Sequence, residues 1–398
     1  MIKKINFYLI IYLTCLLLFS YFFLFIKHDV GNDSTISEWI INYEGGFTKR
    51  GLIGQLAIIQ AKMFEINLRD SILIFQIITM TIYYVLLFIL LRNLKINRII
   101  CLSIFTPIFI LYPVAEIEVL ARKEIIIFSI FLIYIFIPRH YRIKDLSFII
   151  FTTSSILIWE PVIFFFPLFL LLEILERDIK KLSFEIFKIL FYLAPSLFIT
   201  SIFIFDPLSK DQWTIMANIL QNEFGQNCYM SCDLLRSKSG VLQQFQGNFG
   251  KYSIEVFVRY FLIIFAGFYP LITLIYNSSL KNKDLFIFKY FHIPIYPIII
   301  SLTPALLLFA MGYDWGRWVN ISYVFLFIFY FYLFNKKIII LDFNKLKKNF
   351  LSNMSNKLFI TLFVIYCFGW NPKTVITGDI ASFPGYRIPY KVFKILSN

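Results

Sequence analysis

The chain has 398 residues, of which 59% are hydrophobic and 16% are charged, and its mean hydropathy is +0.75. A soluble domain has about 45–50% apolar and about 25% charged residues, so this composition excludes an ordinary soluble protein and indicates membrane helices. In a soluble protein the net charge of +14 would indicate nucleic-acid binding. Here Lys and Arg mostly flank apolar runs, where they set membrane orientation, and we expect no nucleic-acid partner.

The apolar runs predict an all-α polytopic membrane protein with about eleven transmembrane helices in one domain, residues 1–398. The first run has no small-x-small cleavage pattern, which indicates a retained helix and not a signal peptide. A broken pair around Pro161 is an alternative for two of the shortest runs. The runs cover about residues 7–26, 71–91, 99–115, 124–138, 146–159, 161–175, 183–205, 256–276, 285–309, 318–334 and 355–370.

Short basic loops predict a cytoplasmic N-terminus, because Lys and Arg near span ends concentrate on the cytoplasmic side. With that orientation every predicted inner loop is short and basic. The residues concerned are Arg92, Lys95, Arg98, Arg139, Arg142, Lys144, Arg177, Lys180, Lys181, Lys281, Lys283, Lys336, Lys337, Lys345, Lys347 and Lys348. An odd number of spans leaves the tail 371–398 outside, where a re-entrant piece or an interfacial helix is an alternative.

The first long outer segment, about residues 27–70, is predicted to contain a helix. Leu52, Leu56, Ile59 and Met63 recur at helical spacing after Gly51. A short amphipathic helix of this kind lies in or near the membrane interface.

The second long outer segment is a polar loop at about residues 206–255. It contains Cys228 and Cys232. In an oxidising periplasm this Cys-x3-Cys pair predicts a disulfide, with free thiols or a metal pair as alternatives.

The densest polar motif is Glu-Gly-Gly-Phe-Thr-Lys-Arg-Gly at residues 44–51. Its paired glycines allow positive φ and close approach of a ligand. Lys49 and Arg50 are suited to bind a phosphate, Arg through a bidentate fork, and a helix beginning near Gly51 directs its first amides at the same anion. Glu44 is a candidate base. The alternative is a re-entrant turn whose basic residues contact lipid head groups.

A second motif, Ala-Arg-Lys-Glu at residues 121–124, lies at a predicted outer helix end. Charges at such a boundary are costly and usually functional, although snorkelling to the interface is the alternative. Consecutive side chains spread around a helix, so we expect one or two of the three charges to face inward. Arg122 is the favoured candidate.

Glu160 lies between Trp159 and Pro161 in an apolar stretch. An acid in such a setting has a raised pKa unless a cation is near, which suits acid–base catalysis. The alternative is an interfacial Glu beside a Trp anchor.

The fourth motif is Asp-Trp-Gly-Arg-Trp at residues 314–318. Asp314 and Arg317 are three residues apart and share a face on a helical turn. Trp315 and Trp318 on an outer rim are rings on which sugars stack. A self-satisfied ion pair in an aromatic belt is the alternative.

The four motifs together resemble multi-span proteins of bacterial surface-polysaccharide clusters, the Wzy-type O-antigen or capsule polymerases. The first motif carries the similarity as Gly-Gly-Phe-x-Lys/Arg-Arg-Gly-Leu-x-Gly, from Gly45 to Gly54. The resemblance implies glycan transfer from undecaprenyl pyrophosphate to a lipid-linked repeat unit at the periplasmic face of the inner membrane. It also implies relatedness to GT-C-type transferases, no cofactor and a chain-length regulator as partner. Paired Arg-rich loops of some polymerases are not evident in 206–255.

Because the outer face holds no nucleotide, chemistry there needs a substrate that is already activated. Four cations are expected to stabilise a leaving pyrophosphate: Lys49, Arg50, Arg122 and Arg317. The candidate bases are Glu44, Glu160 and Asp314. No Asp-x-Asp or His-rich set requires a metal. The alternatives are a GT-C transferase that adds one sugar from polyprenyl phosphate, and a lipid-linked oligosaccharide flippase. Transporters tend to show repeated halves and mid-membrane charges, which are not clear here.

Overall fold

The computed structural model describes residues 2–30, 34–120, 122–139, 143–180, 184–236, 241–282, 284–285, 291, 293–376, 393 and 396–397. Arg142, Lys181 and Lys283 of the predicted inner loops, and most of the predicted outer tail after residue 376, lie outside the described residues.

Helices make up most of the described chain. In chain order they are α1 (Ile2–Val30), α2 (Ser34–Ser37), α3 (Gly51–Phe64), α4 (Leu68–Leu91), α5 (Arg98–Phe105), α6 (Tyr112–Ala115), α7 (Glu124–Phe136), α8 (Ile143–Ile158), α9 (Phe166–Glu176), α10 (Phe184–Tyr192), α11 (Ala194–Phe205), α12 (Lys210–Phe224), α13 (Val241–Phe249), α14 (Ile254–Tyr276), α15 (Ile295–Leu302), α16 (Leu306–Met311), α17 (Trp315–Asn335), α18 (Phe343–Lys347), α19 (Phe350–Asn353) and α20 (Asn356–Phe368). Short 3-10 helices cover Ile117–Val119, Glu160–Phe165, Asp233–Arg236 and Thr303–Ala305, and the strands are β1 (Ser278–Leu280) and β2 (Ile339–Leu341).

The structure is that of an all-α polytopic membrane protein. Within its described part, α1, α4, α14 and α17 are long and apolar enough to cross a membrane, and α10 with α11, bent by 42°, would add a fifth span. Each of the eleven predicted runs contains helix, but most of these helices are shorter than the roughly 20 residues that a bilayer needs. The α-helical pattern also changes within some of them, as at Pro304, where the 3-10 helix Thr303–Ala305 joins α15 to α16, because proline removes a helix hydrogen bond.

Helix α17 occupies the centre of the bundle. Of its most apolar window, 83% is buried inside the protein, against 28% for α1. It contacts α4, α7, α14 and α16. Its sequence is apolar on nearly every side, which is typical of a helix surrounded by other helices.

The C-terminal end of α17 lies beside a small sheet and a group of charged side chains. β1 follows α14, β2 follows α17, and the two strands pair antiparallel. Nearby, the buried Glu173 accepts hydrogen bonds from Arg177 Nε at 2.8 Å and from Tyr134, while Lys144 lies 3.4 Å from Glu176. Residues predicted for the inner loops therefore gather at this end, and we call it the inner end.

The two long segments that were predicted to lie outside have helical structure of their own. α3 begins at Gly51, as the spacing predicts, and Leu56, Ile59 and Met63 form an exposed apolar stripe on it. The 206–255 segment contains α12 and α13, and the predicted disulfide between Cys228 and Cys232 is present, with the two Cα atoms 5.2 Å apart.

Candidate functional site

The four sequence motifs meet at the N-terminal end of α17, where their charged side chains join one further acid. We call this group the outer charge cluster. It consists of Glu38, Lys49, Arg50, Arg122, Lys123, Glu124, Glu160, Asp314 and Arg317. Three of the predicted site residues are not part of it: Glu44, Trp315 and Trp318.

Glu38, which the sequence analysis did not identify, lies at the centre of the cluster. Its carboxylate is 1% exposed, and its Oε1 lies 3.0 Å from Arg317, 3.6 Å from Arg122 and 3.8 Å from Arg50. Burial alone would raise the pKa of Glu38, but the guanidinium groups of Arg317, Arg122 and Arg50 hold it well below its usual range. Glu38 is therefore a permanent negative charge at neutral pH.

Arg50 and Glu160 form a bidentate pair that joins two of the motifs. Arg50 Nε and Nη2 donate to the Glu160 carboxylate at 2.8 and 2.9 Å, and Lys49 Nζ lies 3.7 Å from it. Burial raises the pKa of Glu160, but Arg50 and Lys49 outweigh it and lower that pKa to about 2. The nearby cations thus reverse the raised pKa that an isolated acid would have, and Glu160 remains ionised.

Arg317 is the most heavily engaged cation of the cluster. It donates hydrogen bonds to Glu124 and to Glu38, and its Nη1 lies 3.3 Å from Asp314 Oδ2. Asp314 and Arg317 therefore share a face, as their spacing predicts. Arg122 also lies 3.5 Å from Asp314 Oδ2 and donates to the Glu118 carbonyl at 2.7 Å.

The structure corrects the expectation that only one or two of the charges at 122–124 face inward. Arg122, Lys123 and Glu124 are all buried. The reason is local: α7 begins at Glu124, so Arg122 and Lys123 precede the helix and are not distributed around it.

The structure also corrects the expected aromatic rim. Trp315 and Trp318 are 6% and 8% exposed. Trp315 packs against Tyr252 and donates from Nε1 to the Phe309 carbonyl at 2.7 Å, and Trp318 packs against Trp159 with ring centroids 5.9 Å apart. These indoles hold elements together and present no open face to a sugar.

The space beside the glycine pair of the first motif is filled by another part of the chain and is not open to a ligand. A Cβ built on Gly45 would lie 2.0 Å from the Gln212 carbonyl oxygen, so α12 packs directly on this turn. Glu44, beside it, accepts a hydrogen bond from Gln55 at 3.0 Å. The polar 206–255 segment therefore forms one wall beside the cluster.

The members of the cluster differ in their exposure to solvent. Lys49 is 37% exposed and Asp314 is 27% exposed, and these two are its most accessible members. Beneath Arg122 and Arg317 lies an apolar cavity of about 30 Å³ that also contacts Phe128. That volume is enough for a water or two and too small for a sugar.

Comparison of the chain with protein-family models, with curated proteins and with solved structures found no match. What the outer charge cluster does must therefore be argued from its own chemistry.

Proposed function

We propose that this protein is a membrane glycosyltransferase that polymerises undecaprenyl-pyrophosphate-linked oligosaccharide repeat units at the periplasmic face of a bacterial inner membrane. One observation supports this most strongly: four turns distant in sequence meet with Glu38 in a cluster of five basic and four acidic side chains at one end of a helical bundle. With Lys123 protonated, the cluster has one more positive than negative charge, which favours an anionic ligand.

The proposed topology places this cluster outside the cytoplasm. All eleven apolar runs would cross the membrane, the shorter helices being supported by their neighbours, with the N-terminus inside. Residues 371–376 lie beside the cluster, since Gly316 donates to the Thr374 carbonyl at 3.2 Å, which supports an outer tail. Alkaline phosphatase fused after residue 371 should be active, and fused after residue 180 inactive, because that enzyme folds only outside the cytoplasm.

The proposed reaction is a single displacement. The hydroxyl oxygen of the acceptor sugar attacks the anomeric carbon of the donor as the bond to pyrophosphate breaks, and Lys49, Arg50 and Arg122 with Arg317 stabilise the leaving anion. Asp314 is the favoured proton acceptor because it is partly exposed. Glu160 is a weaker candidate, since a carboxylate with a pKa of about 2 is a poor base.

The test is the lipopolysaccharide profile of a strain deleted for the gene and complemented with variants. We expect the deletion, Arg50→Ala and Arg317→Ala to yield core plus a single repeat unit. Lys62→Ala is a matched control, because Lys62 forms an exposed ion pair with Glu223 at 2.8 Å outside the cluster, and should restore the ladder.

Other outcomes point elsewhere. A normal ladder from both Arg variants, with the protein present in the membrane, contradicts the proposal. A complete ladder of shifted mobility in the deletion strain indicates a transferase that adds one side-branch sugar from polyprenyl phosphate. Loss of every repeat unit from the core indicates a lipid-linked oligosaccharide flippase.

A further inference from the structure

Lys123 is a buried cation that the proposed chemistry does not use. Its side chain is 0% exposed and it immediately precedes α7. The charged groups that face it come from four different parts of the chain: Glu38, Arg50, Glu124 and Glu160. A buried ammonium persists only where its partners compensate its desolvation, so this placement needs an explanation.

The partner that Lys123 contacts directly is the backbone of Arg50. Its Nζ donates a hydrogen bond to the Arg50 carbonyl oxygen. Arg50 has φ 64° and ψ 9°, the left-handed conformation that residues with a Cβ avoid, and it directly precedes α3. Such a conformation persists only where the surroundings hold it. Arg50 is held twice, by Lys123 at its carbonyl and by Glu160 at its guanidinium.

We propose that Lys123 is a positioning residue whose ammonium holds the left-handed turn at Arg50 and thereby directs the Arg50 guanidinium into the outer charge cluster. Without this bond the turn has one anchor in place of two, and the 44–51 motif loosens at its basic end. The activity readout below rests on the proposed function, whereas the labelling readout does not.

The bond depends on pH near neutrality. Burial lowers the pKa of Lys123 to about 7, against the opposing effect of Glu38. Below pH 7 the ammonium is charged and donates strongly. Above pH 7 the neutral amine donates more weakly, and the cluster loses one positive charge. Both the order of the turn and the affinity for an anion should therefore fall as the pH rises through 7.

The structural test uses a cysteine placed in the same turn. Thr48 is buried, so Thr48→Cys should be protected from a maleimide in the native protein. The three free cysteines, Cys15, Cys101 and Cys367, are replaced by Ala to remove background labelling. Lys123→Met keeps the length of the side chain without the donor, and should raise the labelling rate roughly tenfold, as expected for loss of a charged hydrogen bond. Lys123→Arg keeps the charge at every pH and should preserve protection.

Two comparisons make the test decisive. Because maleimide reactivity itself rises with pH, the labelling rate of the wild-type background is divided by that of Lys123→Arg at pH 6 and at pH 8.5. We expect this ratio to rise at the higher pH. Folded Lys123→Met in which Thr48→Cys stays protected would overturn the proposal. If Lys123→Arg does not fold, the labelling rate of the wild-type background is divided by that of Lys123→Met. This ratio should be roughly one tenth at pH 6 and rise towards one at pH 8.5, and a ratio of one at both pH values would overturn the proposal.

The activity test uses membrane vesicles from the deletion strain complemented with the wild type or a variant. These vesicles contain the lipid-linked repeat units that the strain makes. Polymer formation by the wild type should decline above pH 7, while Lys123→Met should be roughly tenfold less active at pH 6 and show little further decline. If the Arg50 and Arg317 variants polymerise normally, the proposed function fails, but the labelling result still decides the role of Lys123. If they fail to polymerise and Lys123→Met matches the wild type at every pH, the inference about Lys123 alone is wrong.

Discussion

Replacing Glu38 by Gln removes one negative charge from the centre of the outer charge cluster with little change in volume. Three guanidinium groups, those of Arg50, Arg122 and Arg317, then lie within 4 Å of a neutral amide. Removing one partner of a buried ion pair costs about 3–5 kcal/mol, because the remaining charges stay desolvated and uncompensated. Against a total stability of about 5–15 kcal/mol for a typical protein, this loss is large.

The assay is unfolding of the purified protein in detergent micelles, followed by reaction of a thiol-sensitive dye with the buried Cys367. Cys15, which is exposed, and Cys101, which is partly buried, are replaced by Ala so that only Cys367 reports unfolding. Glu223→Gln is the matched control, because Glu223 is 46% exposed and pairs with Lys62, and such pairs contribute about 0–1 kcal/mol. A Glu38→Gln variant that differs from the control by less than about 1 kcal/mol would refute the central role of Glu38.

The same variant also tests how stability depends on pH in the acid range. The surrounding cations hold the pKa of Glu38 below its usual range, so its ionised form stabilises the fold above its ordinary pKa of about 4.3. That contribution is lost as the pH falls from there towards the lowered pKa. Stability of the wild type should therefore decline through this range, and the decline should be smaller in Glu38→Gln. An identical decline in both proteins would contradict the assignment.

Two further predictions concern packing and redox state. Gly54→Ala should lower the free energy of unfolding by about 1–3 kcal/mol, because its Cβ would lie 1.9 Å from the Ile41 carbonyl oxygen. Gly247→Ala is the control and should not lower it, because a Cβ there has nothing within 4 Å. Equal unfolding curves for the two variants would contradict the close packing of α3. Alkylation without reductant should leave Cys228 and Cys232 unmodified. Replacing both by Ser should lower the free energy of unfolding by about 2 kcal/mol. Alkylation of both cysteines in the unreduced, unfolded protein would contradict the disulfide.

The sequence predicted the convergence of the four motifs because membrane topology is a strong constraint. If the short basic loops define one side, the alternate connections between predicted spans, which hold the four motifs, are predicted to lie together on the other side. Arg50, Glu160 and Arg317 could be brought together by this argument without any contact information. The number of spans was less predictable, because hydropathy alone does not reveal where a helix begins and ends; the apolar helix within the run predicted at 285–309 extends over Ile295–Met311, shorter than a bilayer needs.

Glu38 was missed although its signal was available. It directly precedes Trp39 at the beginning of the apolar stretch Trp39, Ile40 and Ile41, so it is an acid beside a Trp at the edge of an apolar stretch. That is the pattern by which Glu160 was selected. Applied evenly, the criterion identifies both acids.

The two tryptophans were assigned wrongly because sequence spacing does not show which elements surround a helix. Trp315 and Trp318 are residues typical of an interfacial belt, yet α17 is enclosed along its length and both indoles lie inside.

The glycines of the first motif show a similar ambiguity. A glycine that permits close approach does not reveal whether a ligand or α12 approaches, and only the contact of Gly45 with Gln212 decides it.

The central position of α17 has a consequence for biogenesis. This helix emerges from the ribosome late, after the residues of α1 to α16. Until then Glu38 and Glu124 lack the guanidinium of Arg317, and the surrounding helices have no centre on which to pack. We therefore expect nascent chains that stop before residue 315 to remain loosely associated in the bilayer and to be preferred substrates of membrane proteases, so that emergence of α17 commits the chain to its final arrangement.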